Sequence, residues 1–324
     1  MTTTLIQQKH PSKILEQYKP DNSKKHVLLL MGGESAEREV SLISGRGISK
    51  ALKEKNYQTT SVDVGYDIAN IIEQIKPDVV FNALHGTFGE DGNIQGILNI
   101  LRIPYTHSGL TCSAICFNKL LTRYMVEAHG VNMAKCKVVN KGNINLNEEP
   151  MPRPYVIKPT CEGSSIGIEV VLEQDNFSFN EYQWDHGDEL IIEEYIPGQE
   201  IQVAVIDGKA VGALEIKTHR KFYDYEAKYT PGGSVHIYPA ELPIEKYQEV
   251  LSISEKVFNL LGCKDVSRVE YRYHQEQKKF YFLEVNTHPG FTPTSIVPEI
   301  CAANGTSYND LVEFLVEKAD AVKL

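Results

Sequence analysis

The sequence predicts an α/β protein that opens with a parallel sheet carrying helices on both faces, and three observations predict it. Short apolar strands alternate with amphipathic helices between His26 and Leu84, the pattern of strand–helix crossovers rather than of hairpins. Two loops containing glycine, Gly32–Glu39 and His85–Gly92, follow strands of that series, and in such sheets ligands bind at the carboxyl ends of strands. Farther along, Val266–His274 and Lys279–Asn286 alternate apolar and polar residues on either side of Gln-Glu-Gln-Lys, which reads as a β-hairpin.

The length of 324 residues suggests two or three domains, at roughly 100–200 residues each. With 42% hydrophobic and 23% charged residues, the chain reads as an ordinary soluble globular protein with ample core. A net charge of −10 argues against a nucleic-acid role, since no basic face dominates. No apolar run approaches the roughly 20 residues that a membrane span needs. Residues 1–25 are polar and lack an apolar h-region. They read as a flexible extension rather than a secretory signal, with part of Pro11–Tyr18 helical. Six cysteines are scattered without a C-x-x-C pair, the usage of reduced thiols in a cytoplasmic enzyme.

Taken in order, His26–Met31 is a buried strand that runs into Gly32-Gly33 and a helix ending near Leu52. Gln58–Val64 is a second strand, Ile68–Ile75 a helix, and Asp78–Leu84 a third strand. The glycine pair is not a full dinucleotide fingerprint. Glu37 is open to two readings, as a binding residue or as an acid in a first helical turn that stabilises the macrodipole; His85 could equally be a hydrogen-bonded loop histidine. One helix, with apolar Ile115, Leu120, Leu121 and Met125, runs from Cys112 to Ala128 and carries Lys119. Lys135–Val139 is a strand and residues 140–150 a polar loop. Tyr155–Pro159 is a strand whose Lys158 feeds the small-residue loop Thr160–Gly167, a way to cradle phosphates with backbone donors and an ammonium, or else a structural Gly-Ser turn. Leu190–Gly198 is an apolar strand opening into a linker. Glu200–Lys217 alternates around Asp207-Gly208, a strong two-residue hairpin signal. Residues 218–234 are aromatic and charged without periodicity, which suggests a lid packed over a site. Pro243–Leu261 is a helix ended by Gly262, and Ser307–Ala319 is the last helix.

The hairpin carries the sharpest chemistry. With its turn near Gln277, Glu270 lies opposite Glu284 and Arg268 opposite Asn286, and side chains two apart share a face. Opposed carboxylates destabilise a strand pair, so something must neutralise them. Two carboxylates and an amide oxygen are hard ligands that suit Mg²⁺. A solvated outer face, with Arg268 as an ordinary ion-pair partner, is the other reading. The loop Thr287–Ser295, with two prolines and a glycine, brings backbone N–H groups and hydroxyls to the same place.

Five stretches together resemble the D-alanine–D-alanine ligase family of the ATP-grasp superfamily. They are Gly32–Ser41 (Gly-Gly-Glu-Ser-Ala-Glu-Arg-Glu-Val-Ser), His85–Gly92 (His-Gly-Thr-Phe-Gly-Glu-Asp-Gly) and Lys158–Gly167 (Lys-Pro-Thr-Cys-Glu-Gly-Ser-Ser-Ile-Gly), followed by Phe222–Tyr229 (Phe-Tyr-Asp-Tyr-Glu-Ala-Lys-Tyr) and Leu283–Gly290 (Leu-Glu-Val-Asn-Thr-His-Pro-Gly). The resemblance spans nearly all of residues 26–320. It implies an ATP-grasp fold with an N-terminal Rossmann-like domain over 26–110, a central subdomain over 111–196 and a C-terminal subdomain over 197–324 that includes the lid. ATP is then held between the last two.

The implied activity is ATP-dependent formation of D-alanyl-D-alanine through an acyl phosphate, for peptidoglycan and cell-wall synthesis, in a cytoplasmic homodimer. The implied metal is Mg²⁺, two ions with Mn²⁺ as a substitute, on Glu270, Glu284 and Asn286. Lys119, Lys158 and Lys228 would meet the phosphates. Glu193, Tyr195 and Ile196 would face the adenine, and Glu200 the ribose. Glu37 would pair with the first substrate's ammonium near His85, and Ser164 and Tyr229 would join Glu37 in a hydrogen-bonded set. Ser295 would hold the second carboxylate, and Arg268 with the Gly290 N–H would stabilise the oxyanion. Glu270 departs from the family's usual aspartate by one methylene, and His288 stands where a smaller or apolar residue is expected. Tyr229 favours the dipeptide-forming branch over D-lactate-using relatives. A ligase for another D-amino acid or for D-lactate, and a catalytically silent ATP-binding regulator, are the alternatives.

Overall fold

The computed structural model describes residues 10–145, 148–185, 187–218 and 233–320. They fall into two compact units, the first made of the chain up to Ala114, Cys263–Val266 and the chain from Thr287, the second of Ile115–Gly262 and Ser267–Asn286.

The first unit holds β1 (Lys13–Tyr18), β2 (His26–Met31), α1 (Arg38–Glu54), β3 (Gln58–Asp63), α2 (Ile68–Ile75), β4 (Val79–Asn82) and α3 (Asn93–Leu101). The sheet order is β1-β3-β2-β4. β2 runs parallel to both β3 and β4, as the alternation of strands and helices requires. Leu28 and Leu30 of β2 are fully buried and pack with Val62, Ile68, Ile72 and Leu98. Residues 13–18 correct the sequence reading: they are neither a loose extension nor a helix, but an edge strand antiparallel to β3. The backbone gives the reason. β3 has an open edge whose N–H and C=O groups need partners, and the side chains of Lys13–Gln17 stay exposed, so no hydrophobic alternation marks the strand. Gly65 lets the segment pass, since a Cβ there would lie 2.1 Å from the His10 carbonyl oxygen.

Two C-terminal helices, Ile296–Ala303 and Tyr308–Lys318, complete this unit. The second packs on α1 through Leu311, Val312, Leu315 and Val316 and is tied by Lys55 to Asp310 (2.5 Å) and Glu313 (2.8 Å). The tail from Thr287 therefore groups with the N-terminal sheet, not with residues 197–286 as the expected boundary at 197–324 had it.

Helix α4 (Leu110–Phe117) leads out of the first unit, and α5 (Lys119–Ala128) begins the second. The single helix expected from Cys112 to Ala128 is thus broken at Asn118, because that residue is extended and its side chain accepts the N–H groups of Leu120 and Leu121, capping α5. The second unit has two sheets. One contains β5 (Cys136–Asn140), β6 (Tyr155–Pro159), β7 (Glu169–Val171) and β8 (Glu189–Glu194), in the order β5-β8-β6-β7 with every pair antiparallel. The other contains β9 (Gln199–Ile206), β10 (Lys209–Lys217), β11 (Val235–Ile237), β12 (Val266–His274) and β13 (Lys279–Asn286), in the order β11-β10-β9-β12-β13. Helix α6 (Ile244–Leu260) packs on β9 and β10. The Asp207-Gly208 turn joins β9 to β10 as expected, with Asp207 at φ 49° and Gly208 at φ 77°.

Candidate active site

The hairpin β12–β13 pairs Glu270 with Glu284 and Arg268 with Asn286. The turn alone would not give this. Next to the turn His274 faces Lys279, and an unbroken register from there would set Glu270 opposite Leu283. A register shift between Glu270 and Tyr271 absorbs one residue of β13, the kind of bulge that re-aims side chains beside functional sites.

The chain compensates the opposed carboxylates with its own groups, Arg268 among them, so the pairing by itself does not require a metal. Glu270 Oε1 accepts from Arg268 Nε (3.0 Å), Arg268 NH2 (2.7 Å) and Asn286 Nδ2 (2.8 Å). Glu270 Oε2 accepts from Gln202 Nε2 at 3.0 Å. Glu284 Oε2 lies 3.2 Å from Lys119 Nζ. Burial pulls the Lys119 pKa down, but the charges of Glu284 and Glu270 outweigh it and hold the pKa above its ordinary value. The residues nonetheless fit a divalent cation. Glu270 and Glu284 both border a cavity, and they present oxygen ligands of the hard type. Gln202 supplies a further sign: its amide nitrogen must face the carboxylates of Glu270 and Glu200, and its Oε1 is left buried without a hydrogen-bond partner among the described residues.

That cavity gathers most of the residues expected around ATP. Lys119, Lys158, Glu193, Tyr195, Ile196 and Glu200 line it, and Val156, Ile168, Val170 and Leu283 give it apolar walls. The break at Asn118 makes Lys119 the first residue of α5, with its N–H on the Thr160 carbonyl (2.8 Å) and its ammonium on the Glu162 carbonyl (2.5 Å). Lys158 Nζ lies 2.5 Å from Glu193 Oε2, and Arg123 NH1 donates to Glu193 Oε1 at 3.0 Å. Arg272 donates to the Ile196 carbonyl (3.1 Å), pairs with Glu200 (3.4 Å) and stands over the Tyr195 ring at 5.9 Å. In the loop after β6, Ser164 and Ser165 take positive φ of 49° and 61°, a strained backbone for residues with a Cβ.

The first unit carries a second cluster, at the carboxyl ends of its strands. Glu37 and His85 are buried, and Gly86 is held against Glu37, where a Cβ would come 2.8 Å from Glu37 Oε2. His85 Nδ1 lies 3.2 Å from Glu90 Oε1, and His85 Nε2 lies 3.3 Å from Ser44 Oγ. Burial pushes the Glu90 carboxyl up to about 7; its hydrogen bond to His85 opposes the shift and the charge of Glu37 adds to it. Beneath, Arg38 grips Asp63 through two bonds of 2.7 and 2.6 Å. The Asp63 pKa is lowered because Arg38 overcomes the effect of burial. Gly290 and Ser295 are neighbours, since a Cβ on Gly290 would lie 3.3 Å from Ser295 Oγ. The Ser295 hydroxyl accepts the Thr292 N–H at 2.9 Å and pairs with the Thr292 hydroxyl at 2.8 Å. His288, unexplained in the sequence, is a buried polar contact: its Nε2 lies 3.0 Å from Asn82 Nδ2, and its ring stacks on His107 at 4.5 Å.

Glu37 and Ser164 belong to different units. Lys228, Tyr229 and most of the expected lid 218–234 lie outside the described residues; its base is closed by the Thr218 hydroxyl donating to the Gly233 carbonyl at 3.2 Å. Sequence reasoning missed Arg123, Gln202 and Arg272, whose partners are 70, 68 and 76 residues away, and did not single out Glu90 within a motif it had noted. Arg272 could have been found, because it shares the alternating face of Arg268 and Glu270.

Two family models match the chain, described as D-ala D-ala ligase C-terminus over residues 125–317 and D-ala D-ala ligase N-terminus over residues 66–108. Proteins named D-alanine–D-alanine ligase from Rickettsia africae and Rickettsia bellii are each 52% identical, covering 91% and 92% of this chain and 92% and 93% of their own. Among solved structures, a D-alanine–D-alanine ligase from Bacillus anthracis complexed with ATP superposes with a TM-score of 0.79 at 28% identity, over 91% of this chain and 97% of that one. The VanG D-Ala:D-Ser ligase of Enterococcus faecalis gives a TM-score of 0.75 at 27% identity, over 91% and 99%.

Proposed function

Because this chain belongs to the D-alanine–D-alanine ligase family, we propose that it joins two D-alanines into D-alanyl-D-alanine with cleavage of ATP to ADP and phosphate, for peptidoglycan precursor synthesis. The fold is the ATP-grasp fold. The observation that carries the reading is the cavity of the second unit, where six side chains assigned to ATP meet both carboxylates assigned to metal.

The carboxylate of one D-alanine attacks the γ-phosphate to give an acyl phosphate and ADP, and the amine of the second displaces phosphate. The first step brings negative charges together, so catalysis is mainly positioning and charge neutralisation. Lys119 suits this work because Glu284 and Glu270 keep its buried ammonium charged. Lys158 meets the phosphates from β6, and Lys228 is assigned to them as well. Glu193 accepts the adenine amino group, Tyr195 and Ile196 face the base, and Glu200 accepts from the ribose. Mg²⁺ on Glu270, Glu284 and Asn286, two ions replaceable by Mn²⁺, would supply further neutralisation of the phosphates when bound.

In the first unit, Glu37 pairs with the ammonium of the first D-alanine while Glu90 and Ser44 orient His85 beside it. Ser295 holds the second carboxylate. The Gly290 N–H and Arg268 stabilise the oxyanion, and Ser164 and Tyr229 complete the hydrogen-bonded set with Glu37. Among the described residues no helix is long and apolar enough to cross a membrane, and we place the enzyme in the cytoplasm as a homodimer.

The test is ADP and phosphate release with Mg²⁺-ATP and D-alanine, with products identified by mass, beside L-alanine alone and D-alanine mixed with D-lactate or D-serine. D-alanyl-D-alanine formed from the D-isomer, and preferred in the mixtures, supports the reading. A mixed product that dominates overturns the branch. ATP binding without ADP release overturns the activity.

A further inference from the structure

We propose that Arg123 is a positioning residue for purine selection: from behind Glu193 and out of reach of the nucleotide, it aims that carboxylate at the base as an acceptor. The inference rests on the reading above, in which Glu193 meets the base.

Both oxygens of Glu193 are engaged, Oε1 by Arg123 NH1 at 3.0 Å and Oε2 by Lys158 Nζ at 2.5 Å. Glu193 and Lys158 border the cavity and Arg123 does not. Arg123 is 3% exposed; its NH2 donates to the Ala134 carbonyl just before β5, and its Nε lies 3.6 Å from Glu127. β5 and β8 are paired with Cys136 opposite Glu193. Arg123 thus ties α5 to the strand pair at the point where Glu193 leaves the sheet for the cavity.

Stability alone does not account for such a pair. Replacing a buried ion pair by apolar residues of similar volume is often neutral or stabilising, so the retained charge points to the face that Glu193 shows the cavity. A carboxylate offers only acceptors. Adenine carries an amino donor at its six-position where guanine carries a carbonyl acceptor. A carboxylate fixed in front of that position therefore bonds adenine and repels guanine, but only while it is held there. Lys158 is shared with the phosphates in this reading, so Arg123 is the partner that holds Glu193 without also serving the nucleotide. Its planar fork can grip the carboxylate and the Ala134 carbonyl together, which a lysine cannot reproduce.

The test compares full-length wild type with Arg123→Met, Arg123→Lys and Glu193→Gln. The measurements are kcat and KM for ATP and GTP, equilibrium binding of ADP and GDP, and Tm. For Arg123→Met, loss of one charge-assisted bond predicts about a tenfold fall in the preference for adenine over guanine nucleotide. That fall should sit in KM and in diphosphate binding, with kcat nearly unchanged, and Arg123→Lys should recover part of it. A folded Arg123→Met with a lower Tm and an unchanged ADP:GDP ratio, while Glu193→Gln loses the preference, overturns the role of Arg123 alone. If Glu193→Gln keeps the full preference, the assignment of Glu193 to the base fails and the inference fails with it. Should Arg123→Met not fold, Arg123→Lys decides: a reduced preference supports the role, and a wild-type ratio overturns it.

Discussion

Glu90→Gln removes one charge while keeping the shape of the side chain and a hydrogen-bonding group facing His85. In the wild-type protein the Glu90 side chain is 16% exposed and lies 3.2 Å from His85. Burial is the largest influence on it and raises its pKa from 4.5 to about 7. The folded-state pKa lies above the unfolded one, so folding favours the protonated acid. That contribution to stability is complete below about pH 4.5 and is lost as the pH rises through about 7. A rise from 4.5 to about 7, at about 1.36 kcal/mol per unit, is worth roughly 3 kcal/mol at most. Glutamine is neutral throughout. Urea unfolding of both proteins at about pH 5 and about pH 8 should therefore show Glu90→Gln gaining up to roughly 3 kcal/mol on the wild type across that interval. A difference that does not change with pH would refute the reasoning, since the buried carboxyl would then ionise as easily folded as unfolded.

Four further outcomes can be measured. Glu284→Gln should stay folded and lose at least about a hundredfold in kcat, because the phosphates lose a metal ligand; near-normal ADP release from a folded variant counts against the metal assignment. Gln202→Met removes the donor to Glu270 Oε2 and should weaken Mn²⁺ binding, read by titration, by about tenfold through loss of a charge-assisted bond; unchanged Mn²⁺ affinity would leave Gln202 as packing only. Asn118→Ala deletes the cap of α5 and should lower stability by about 1 kcal/mol, with a raised KM for ATP as Lys119 shifts; an unchanged KM would mean that the helix break does not aim the lysine. Lys119→Met combined with Glu284→Gln should be less destabilised than the sum of the single variants, by about 0.5–3 kcal/mol of coupling, while turnover stays lost; strict additivity would deny that the two charges stabilise each other.

What the sequence made legible depends on whether a pattern is local. The hairpin's pairing of Glu270 with Glu284 was readable because a strict period of two leaves few registers that bury one face. The bulge that delivers it, between Glu270 and Tyr271, left no mark in the alternation. The parallel sheet was readable from crossovers, whereas β1 was not, because backbone pairing rather than side-chain burial holds it. Asn93–Leu101 and Ile296–Ala303 went unread as helices. The first lies next to a glycine-rich loop, and the second carries Pro298, which is tolerated only because it falls in the first helical turn. Of the cavity's charged residues, Lys158 and Glu284 sit in motifs, Glu270 was reached through the hairpin, and Lys119, Glu193 and Glu200 only through the family resemblance. Arg123 and Gln202 were not found, since α5 reads as an ordinary amphipathic helix and β9 as an ordinary alternating strand until Glu193 and Glu270 are brought to them.

The opposed carboxylates that raised the question of a metal are paired as the sequence suggested, and groups of the chain itself compensate them. Two opposed carboxylates do need compensation, but an enzyme that exchanges its nucleotide at every turnover must also stand with the site empty. Lys119 on Glu284, and Arg268, Asn286 and Gln202 on Glu270, provide that compensation within the chain. Lys119, Arg268 and Asn286 are also groups that the proposed reaction uses. A nucleotide with its metal would then replace one set of balanced charges by another, rather than create a charged site from a neutral one. Each buried ion pair here adds little net stability and keeps a charge ready at a fixed place, and the low cost of reorganising such charges is what makes preorganised electrostatics effective in catalysis.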